Sequence, residues 1–150
     1  AGLELAMACD IRIASKEARF AALFAKVGTM SDMGSSYLLP KLVGAGKALE
    51  MLLTGDFLNA HEALRIGLIN RVVAKDRIRH EARSLATQLV KGPTLALRFI
   101  KAAIYKGLEL NLKDALDNER FGQTFLLGTE DVQEARKAFT EKRSSIFRGK

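Results

Sequence analysis

Residues 2–10, GLELAMACD, and residues 28–36, GTMSDMGSS, decide the fold that we predict for this chain. The first stretch is apolar after its glycine except for one glutamate and a final aspartate, which predicts a short buried helix. The second stretch combines glycines with an aspartate and serines, which is typical of a loop that leads into a helix. Because each stretch places a carboxylate near a glycine turn, we predict a functional site that contains Glu4 and Asp32.

Outside these two stretches, the pattern divides the chain near Ala74. Before it, strands are predicted at 11–14, 18–23 and 68–73. One helix is predicted to begin at Ser35 or Ser36 and to run toward Pro40, and a second follows Gly46, with Ala48, Leu49, Leu52 and Leu53 on its apolar side. A third helix is predicted to start at Asn59, in a capping-box-like pattern with Glu62. After it, a helical period continues past a Gly92-Pro93 break, through a helix from about Asn111, to a last helix capped by Thr129. We therefore predict a mixed α/β part, 1–74, and an all-helical part, 75–150.

The composition and charge exclude several classes of protein. With 48% apolar and 27% charged residues, the chain is globular rather than disordered. Its apolar runs end well before the ~18 residues that a membrane span needs, so no membrane partner is expected. Most of the net charge of +7 lies in residues 75–150, where sixteen Lys or Arg stand beside ten acids. Since these bases alternate with acids along helices, we predict no nucleic-acid binding.

The single cysteine and the two histidines give no sign of a metal or redox site. Cys9 has no partner for an internal disulfide, which favours a reducing compartment such as the cytoplasm, although a mitochondrial or peroxisomal location stays open. Its place in an apolar run predicts that Cys9 packs in the core. His61 and His80 are expected on the surface, and no metal-ligand spacing is present.

Several blocks of the sequence, in order along the chain, carry a resemblance to a known family. They are GLELAMACDIRIAS (2–15), ARFAALFAKVGTMSDMGSSYLLPKLVG (18–44), LLTGDFLNAHEALRIGLINRVV (52–73) and the terminal AFTEKR (138–143). Together they resemble the second half of an enoyl-CoA hydratase/isomerase of the crotonase superfamily. The resemblance implies an α/β fold, the C-terminal portion of a crotonase-like ββα spiral followed by an all-helical oligomerisation tail. It also implies that the chain is part of a longer protein.

The resemblance implies a coenzyme A thioester as substrate, no separate cofactor, and a homotrimer or dimer of trimers. The turn at Ala1 and Gly2 corresponds to an oxyanion site, whose backbone N–H groups would stabilise a thioester enolate. Glu4 matches one of the two catalytic glutamates of the hydratases. Phe24 occupies the position of the second glutamate, twenty residues later. Because addition of water uses both carboxylates, hydratase activity is not expected.

Asp32 matches an acid of those family members that shift a double bond or attack an aryl thioester. One carboxylate is sufficient for isomerisation, since it can remove a proton from one carbon and return it to another. We therefore predict that Asp32 is the proton shuttle and that Glu4 orients the substrate or serves as a secondary acid. An alternative use of Asp32, compatible with the first, is an Asx-turn or a cap before the helix at Ser35.

The remaining site residues follow from the same resemblance. Phe24, Met30 and Met33 are expected to line an apolar substrate pocket, and Lys142 and Arg143 to approach the CoA phosphates, with plain solvated charge as the competing account. The preferred activity is Δ3 to Δ2 enoyl-CoA isomerisation, including the related ring-epoxide acyl-CoA isomerases of aromatic degradation. Two alternatives stay open, an enoyl-CoA hydratase working through Glu4 and a noncatalytic truncated assembly subunit.

Overall fold

The computed structural model describes all 150 residues as eight α-helices, four short strands and two 3₁₀ turns. The helices are α1 (Gly2–Met7), α2 (Ser35–Val43), α3 (Ala45–Thr54), α4 (Ala60–Arg65), α5 (Ile78–Val90), α6 (Thr94–Gly107), α7 (Leu112–Leu127) and α8 (Glu130–Thr140). The strands are β1 (Ile13–Ser15), β2 (Arg19–Phe20), β3 (Leu58–Asn59) and β4 (Arg71–Val73), and the 3₁₀ turns are Ala25–Val27 and Lys75–Arg77. Two compact units, Ala1–Arg83 and Ser84–Lys150, divide the chain within α5. The change in sequence pattern near Ala74 thus precedes the structural division.

The strands of the first unit form two small sheets. β1 pairs with β4 in parallel, with Ile13 opposite Arg71 and Ser15 opposite Val73. β2 pairs with β3 in an antiparallel arrangement. A parallel pair needs a crossover connection, and here the segment from β2 to α4 supplies it. The three predicted strands are present in shorter form, with β1 shifted to end at Ser15, whereas β3 was not predicted.

The hydrophobic core of the first unit is built from α1 to α4 and the strands. Its buried members are Met7, Ala14, Leu39, Ala48, Met51, Leu58, Ala63, Leu68 and Ile69. Leu39 and Leu68 are both 0% exposed. Since a fully buried leucine side chain contributes about 1.5–3 kcal/mol of transfer free energy, these two residues help to fix α2 against the sheet layer that carries β4.

Several helix boundaries of the first unit follow local sequence rules, and one does not. The capping box of Asn59 and Glu62 is present, with the Asn59 side chain accepting from the Glu62 N–H. α3 ends at Gly55, whose φ of +61° is the left-handed conformation that glycine adopts without strain. α2, however, continues through Pro40 to Val43. The helix tolerates the missing N–H of Pro40, so the predicted end near this proline is too early.

The apolar positions of α3 and α1 also differ from the prediction. Leu49 and Leu53 are 56% and 69% exposed, while Ala48 and Met51 of the same helix are buried. Cys9 is exposed, so the prediction of a core cysteine is wrong. α1 ends at Met7, two residues before Cys9. The apolar run of the sequence therefore extends beyond the helix, and its last residue is not buried with it.

The second unit is helical, as predicted, and has few buried residues. α6 packs against α7 where Gly122 is buried, and the rings of Phe99 and Phe125 stack with centroids 5.2 Å apart. A Cβ on Gly122 would lie 3.0 Å from Phe99 Cδ1, so the absence of a side chain permits this approach. Thr129 caps α8 by accepting from the Val132 N–H, which confirms the predicted start of the last helix. None of the eight helices is both long and apolar enough to cross a membrane.

Candidate functional site

Glu4 lies on α1 and is one of the few charged side chains that the fold buries. It is 3% exposed, in a six-residue helix whose N-cap, Ala1, offers no side-chain cap. A buried carboxylate needs hydrogen-bond donors to offset the loss of solvent. Two donors meet it: the Ser35 hydroxyl lies 3.2 Å from Oε1, and the Ala1 nitrogen lies 2.9 Å from Oε2.

Burial and hydrogen bonding act on the ionisation of Glu4 in opposite directions. Burial raises the pKa of the carboxyl, whereas the Glu4 backbone N–H and the Ser35 hydroxyl lower this pKa because they donate to the charged form. These bonds hold the Glu4 carboxylate in place beside the start of α1.

The predicted oxyanion turn lies beside Glu4, at the start of α1. Gly2 is the first helical residue and is exposed, with no atom within 4 Å of the position that a Cβ would take. The first turn of a helix leaves its N–H groups without intrahelical partners. The start of α1 therefore presents backbone donors next to open space, and the Ala1 nitrogen is directed at Glu4.

Asp32 occupies the first position of a tight turn that opens α2. Met33 and Gly34 follow it with φ values of +47° and +83°, and the Ser35 N–H donates to the Asp32 carbonyl at 2.9 Å. Two left-handed central residues closed by this hydrogen bond are typical of a type I′ turn. A methionine with positive φ is uncommon and strained, and strained backbone of this kind is concentrated at functional sites.

The turn leaves the Asp32 carboxylate free of the capping role that the sequence suggested for it. The N-cap of α2 is Gly34, and no side chain caps this helix. The alternative prediction of Asp32 as a helix cap is therefore wrong, and so is the prediction of a Ser35 or Ser36 cap. Ser35 is instead the first helical residue. The Asp32 side chain is exposed at the surface of this unit, available to a ligand.

Ser35 connects the Glu4 side chain to the turn that contains Asp32, a connection that the sequence did not predict. The Ser35 side chain is 1% exposed, and its hydroxyl lies 3.2 Å from Glu4 Oε1 and 2.9 Å from the Asp32 carbonyl oxygen. The contact is to the main chain of Asp32, whose own side chain is exposed. The only sequence signal was a serine three residues after an aspartate, which is also the spacing of an ordinary local turn.

The predicted apolar lining is only partly enclosed in this chain. Met30 and Met33 are 78% and 58% exposed, and Phe24 is half-buried. Phe24 also fixes the loop through its carbonyl, which accepts from the N–H groups of Val27 and Thr29 and from the Thr29 hydroxyl. The loop from Phe24 to Asp32 thus presents apolar side chains to solvent, on the same segment as Asp32.

The predicted CoA-binding cations lie in the second unit and differ in their availability. Arg143 donates to both oxygens of Glu134, to Glu141 and to the Ser144 carbonyl. These bonds raise the pKa of Arg143 and commit its guanidinium to the fold. Lys142 is exposed and has a φ of +52°. Of the two cations, Lys142 is therefore the one whose charge is more available to a ligand.

The histidines and other metal-ligating residues add nothing to this site. His61 and His80 are both exposed, as predicted. No group of three or more His, Cys, Asp or Glu side chains is arranged to hold a metal ion.

Comparison with known proteins places the whole chain in one family description. The sequence profile described as enoyl-CoA hydratase/isomerase matches residues 1–150. A short-chain-enoyl-CoA hydratase of Clostridium acetobutylicum is 40% identical over 144 residues, which cover 95% of this chain and 54% of the relative. A crotonyl-CoA hydratase of Syntrophomonas wolfei is 38% identical over 97% of this chain and 56% of its own length.

The solved structures agree with these relatives in fold. The enoyl-CoA hydratase subunit I of Geobacillus kaustophilus superposes with a TM-score of 0.95 at 40% identity, over 99% of this chain and 58% of that protein. The crotonase-like α/β fold predicted from the sequence is thereby confirmed. The chain spans a little more than half the length of the relatives it matches.

Proposed function

The chain belongs to the enoyl-CoA hydratase/isomerase family, and from this premise we propose that the protein moves the double bond of an enoyl-CoA thioester from the Δ3 to the Δ2 position. Ring-epoxide acyl-CoA isomerisation is the related chemistry that the same residues would serve. The observation that carries the proposal is the exposed Asp32 carboxylate, which caps no helix and lies in a turn whose Ser35 hydroxyl contacts Glu4. Phe24, where the hydratases of this family have an acid, supports it.

The proposed reaction requires one base and one site for negative charge. The Asp32 carboxylate removes a proton from C2 of the 3-enoyl thioester, and the electron pair spreads over the thioester oxygen and C4 as a dienolate. The backbone N–H of Gly2 would stabilise the oxyanion, while the Ala1 nitrogen is directed at Glu4. The protonated Asp32 then returns the same proton to C4, which leaves the double bond between C2 and C3.

The acyl chain and the CoA phosphates would be held by different groups. Phe24, Met30 and Met33 offer apolar surface near Asp32 for the acyl chain. Lys142 would pair with a CoA phosphate, while Arg143 supports it by holding the surrounding segment. No cofactor other than the CoA thioester enters this scheme, and the protein would act as a homotrimer or a dimer of trimers.

The experiment that tests the proposal is isomerisation of 3-hexenoyl-CoA by the protein as its gene encodes it. Asp32→Asn is expected to lower kcat at least ~100-fold, since general base catalysis contributes about 10²–10⁴-fold. Asp76→Asn, an exposed aspartate in a 3₁₀ turn, is the matched control and should leave the rate unchanged. If Asp32→Asn keeps the wild-type isomerase rate, the assigned role is wrong.

A second candidate is hydration of a 2-enoyl-CoA through Glu4 alone, which the names of the matched relatives favour. Glu4 is buried beside the start of α1, and a carboxylate in this place could hold a water molecule. Hydration of crotonyl-CoA that is lost in Glu4→Gln and retained in Asp32→Asn would support this candidate over the isomerase.

A further inference from the structure

The buried hydroxyl of Ser35 has two acceptors and one proton. Glu4 Oε1 lies 3.2 Å from it, and the Asp32 carbonyl oxygen lies 2.9 Å from it. The Asp32 carbonyl already receives the Ser35 N–H at 2.9 Å, so it does not depend on the hydroxyl for a partner. Glu4 Oε1 has no other side-chain donor in the unit, and a buried carboxylate oxygen without a donor is costly.

The two possible bonds differ in strength with the charge on Glu4. A hydrogen bond to a carboxylate is stronger than a bond to a neutral carbonyl, so an ionised Glu4 attracts the Ser35 proton. The helix-opening turn and α1 are then joined through Ser35. Because Ser35 is 1% exposed, it cannot reach a substrate itself, and any effect on catalysis must pass through Glu4 or through the turn.

We propose that Ser35 is a positioning residue, whose hydroxyl holds the Glu4 carboxylate against the type I′ turn that carries Asp32. This inference rests on the proposed acyl-CoA function, but it does not depend on which of the two acids is the base. Without the hydroxyl, α1 and the turn lose the one side-chain bond between them that involves Glu4, and the Glu4 carboxylate is no longer held against the turn.

The test is a double-mutant cycle in the protein as its gene encodes it. Ser35→Ala is expected to lower kcat about tenfold with KM unchanged, which corresponds to the loss of one hydrogen bond to a charged group. In a Glu4→Gln background the same substitution should have no further effect on kcat, because a residue that acts through Glu4 is silent without it. Ser36→Ala removes an exposed hydroxyl from the same turn and is the matched control, with the wild-type rate expected.

The inference is overturned if Ser35→Ala keeps the wild-type kcat, or if the effects of Ser35→Ala and Glu4→Gln multiply. If Ser35→Ala does not fold, Ser35→Cys, which keeps nearly the same volume and has only a weak donor, replaces it in the cycle. Ser35→Thr, which keeps the hydroxyl, should retain more activity than either.

Failure of the proposed function would look different from failure of this inference. If the protein catalyses hydration rather than isomerisation, the double-mutant cycle is measured on the hydration rate, and the same outcomes support or overturn the inference. Should neither reaction occur, the proposed function is wrong, and crystal structures of the wild type and Ser35→Ala decide the inference. A displaced Glu4 carboxylate in the variant supports it, and an unmoved one overturns it.

Discussion

The backbone at Gly34 shows how a single residue sets the position of Asp32. Its φ of +83° lies where a side chain is strained, although a Cβ there would meet only Leu38 Cδ1 at 3.6 Å, an ordinary contact. The conformation, rather than the available space, therefore requires glycine. An L-residue held in the left-handed region costs roughly 1–2 kcal/mol.

We expect Gly34→Ala to lower the free energy of unfolding by about 1–2 kcal/mol, measured by urea denaturation. Gly46→Ala is the matched control, because Gly46 lies inside α3, is exposed and has no atom within 4 Å of its Cβ position. The control should stabilise the protein by about 0.5–1 kcal/mol, the helix preference for alanine. A Gly34→Ala variant that is stabilised like the control would contradict the left-handed turn.

A substitution at Phe24 tests whether a second carboxylate decides between hydration and isomerisation. Phe24→Glu restores the second carboxylate that the resemblance assigns to hydratases, beside a half-buried loop that can receive it. We expect the ratio of crotonyl-CoA hydration to 3-hexenoyl-CoA isomerisation to rise at least ~10-fold, since a second base can then activate water. Phe24→Gln introduces a side chain with the shape of glutamate but without a base, and it should not raise this ratio. Equal ratios in the two variants would show that the carboxylate is not what separates the activities.

Single residues also show what the sequence could predict of the site and what it could not. Glu4 and Asp32 stand out because a carboxylate in an apolar run or a glycine turn is visible locally. The bond from Ser35 to Glu4 spans 31 residues and exists only after α1 and α2 pack together. The exposure of Cys9 likewise depends on where α1 ends.

Among the elements, helix ends were easier to predict than helix faces. The capping residues Asn59 and Thr129 and the terminal Gly55 act through bonds or backbone angles within a few residues, so the sequence carries them. The buried side of α3 is decided by its tertiary neighbours. Ala48 and Met51 are buried and Leu52 packs partly buried against the core, while Leu49 and Leu53 of the predicted face are exposed.

The segment after α8 is a non-helical element held by two carboxylates. Asp131, 5% exposed, accepts the Arg148 and Gly149 N–H groups on its two oxygens. Glu134 accepts Arg143 and the Ile146 N–H. Together they lower the pKa of Glu134 to about 2, with the Arg143 side chain having the larger effect and the Ile146 N–H the smaller one. The segment carries Lys142 at its start, so its order matters for the proposed phosphate contact.

We expect Glu134→Gln to increase tryptic cleavage after Arg143 and Arg148 several-fold at pH 8, because the segment loses its charged anchor. Glu130→Gln, which changes an exposed acid in the first turn of α8, should not change cleavage.

The lowered pKa of Glu134 also predicts how the hold of this carboxylate on the segment depends on pH. The contribution of Glu134 is fully present above the usual pKa of 4.5 and is lost as the pH falls from there through about 2. Protection of the Ile146 amide from hydrogen exchange, corrected for intrinsic rate, should therefore be constant from pH 7 to 5. A loss of protection within that range would contradict the assigned anchor.

For the molecule as a whole, the two units differ in how completely they bury their own apolar residues. The core cluster lies entirely in the first unit. In the second unit, α6 has no buried residue and α7 buries only Gly122. Large apolar side chains there are exposed, among them Ile104 at 60%, Leu116 at 54% and Phe121 at 71%. Exposed apolar surface of this kind is typical of sites that contact another chain, so we expect an interface here.

The groove between α6 and α7 therefore offers a test of the proposed trimer. It is lined by Ile104, Leu116 and Phe121 among others. A charge buried at a protein interface without a partner is strongly unfavourable, so we expect Phe121→Asp to convert the assembly to monomers in light scattering after size exclusion. Val90→Asp introduces the same charge at a residue that is 80% exposed at the end of α5, outside this groove, and should leave the mass unchanged. Far-UV circular dichroism checks that both variants keep their helices. If Phe121→Asp keeps the wild-type mass, the groove is not the interface, and the exposed apolar residues of α6 and α7 have another role.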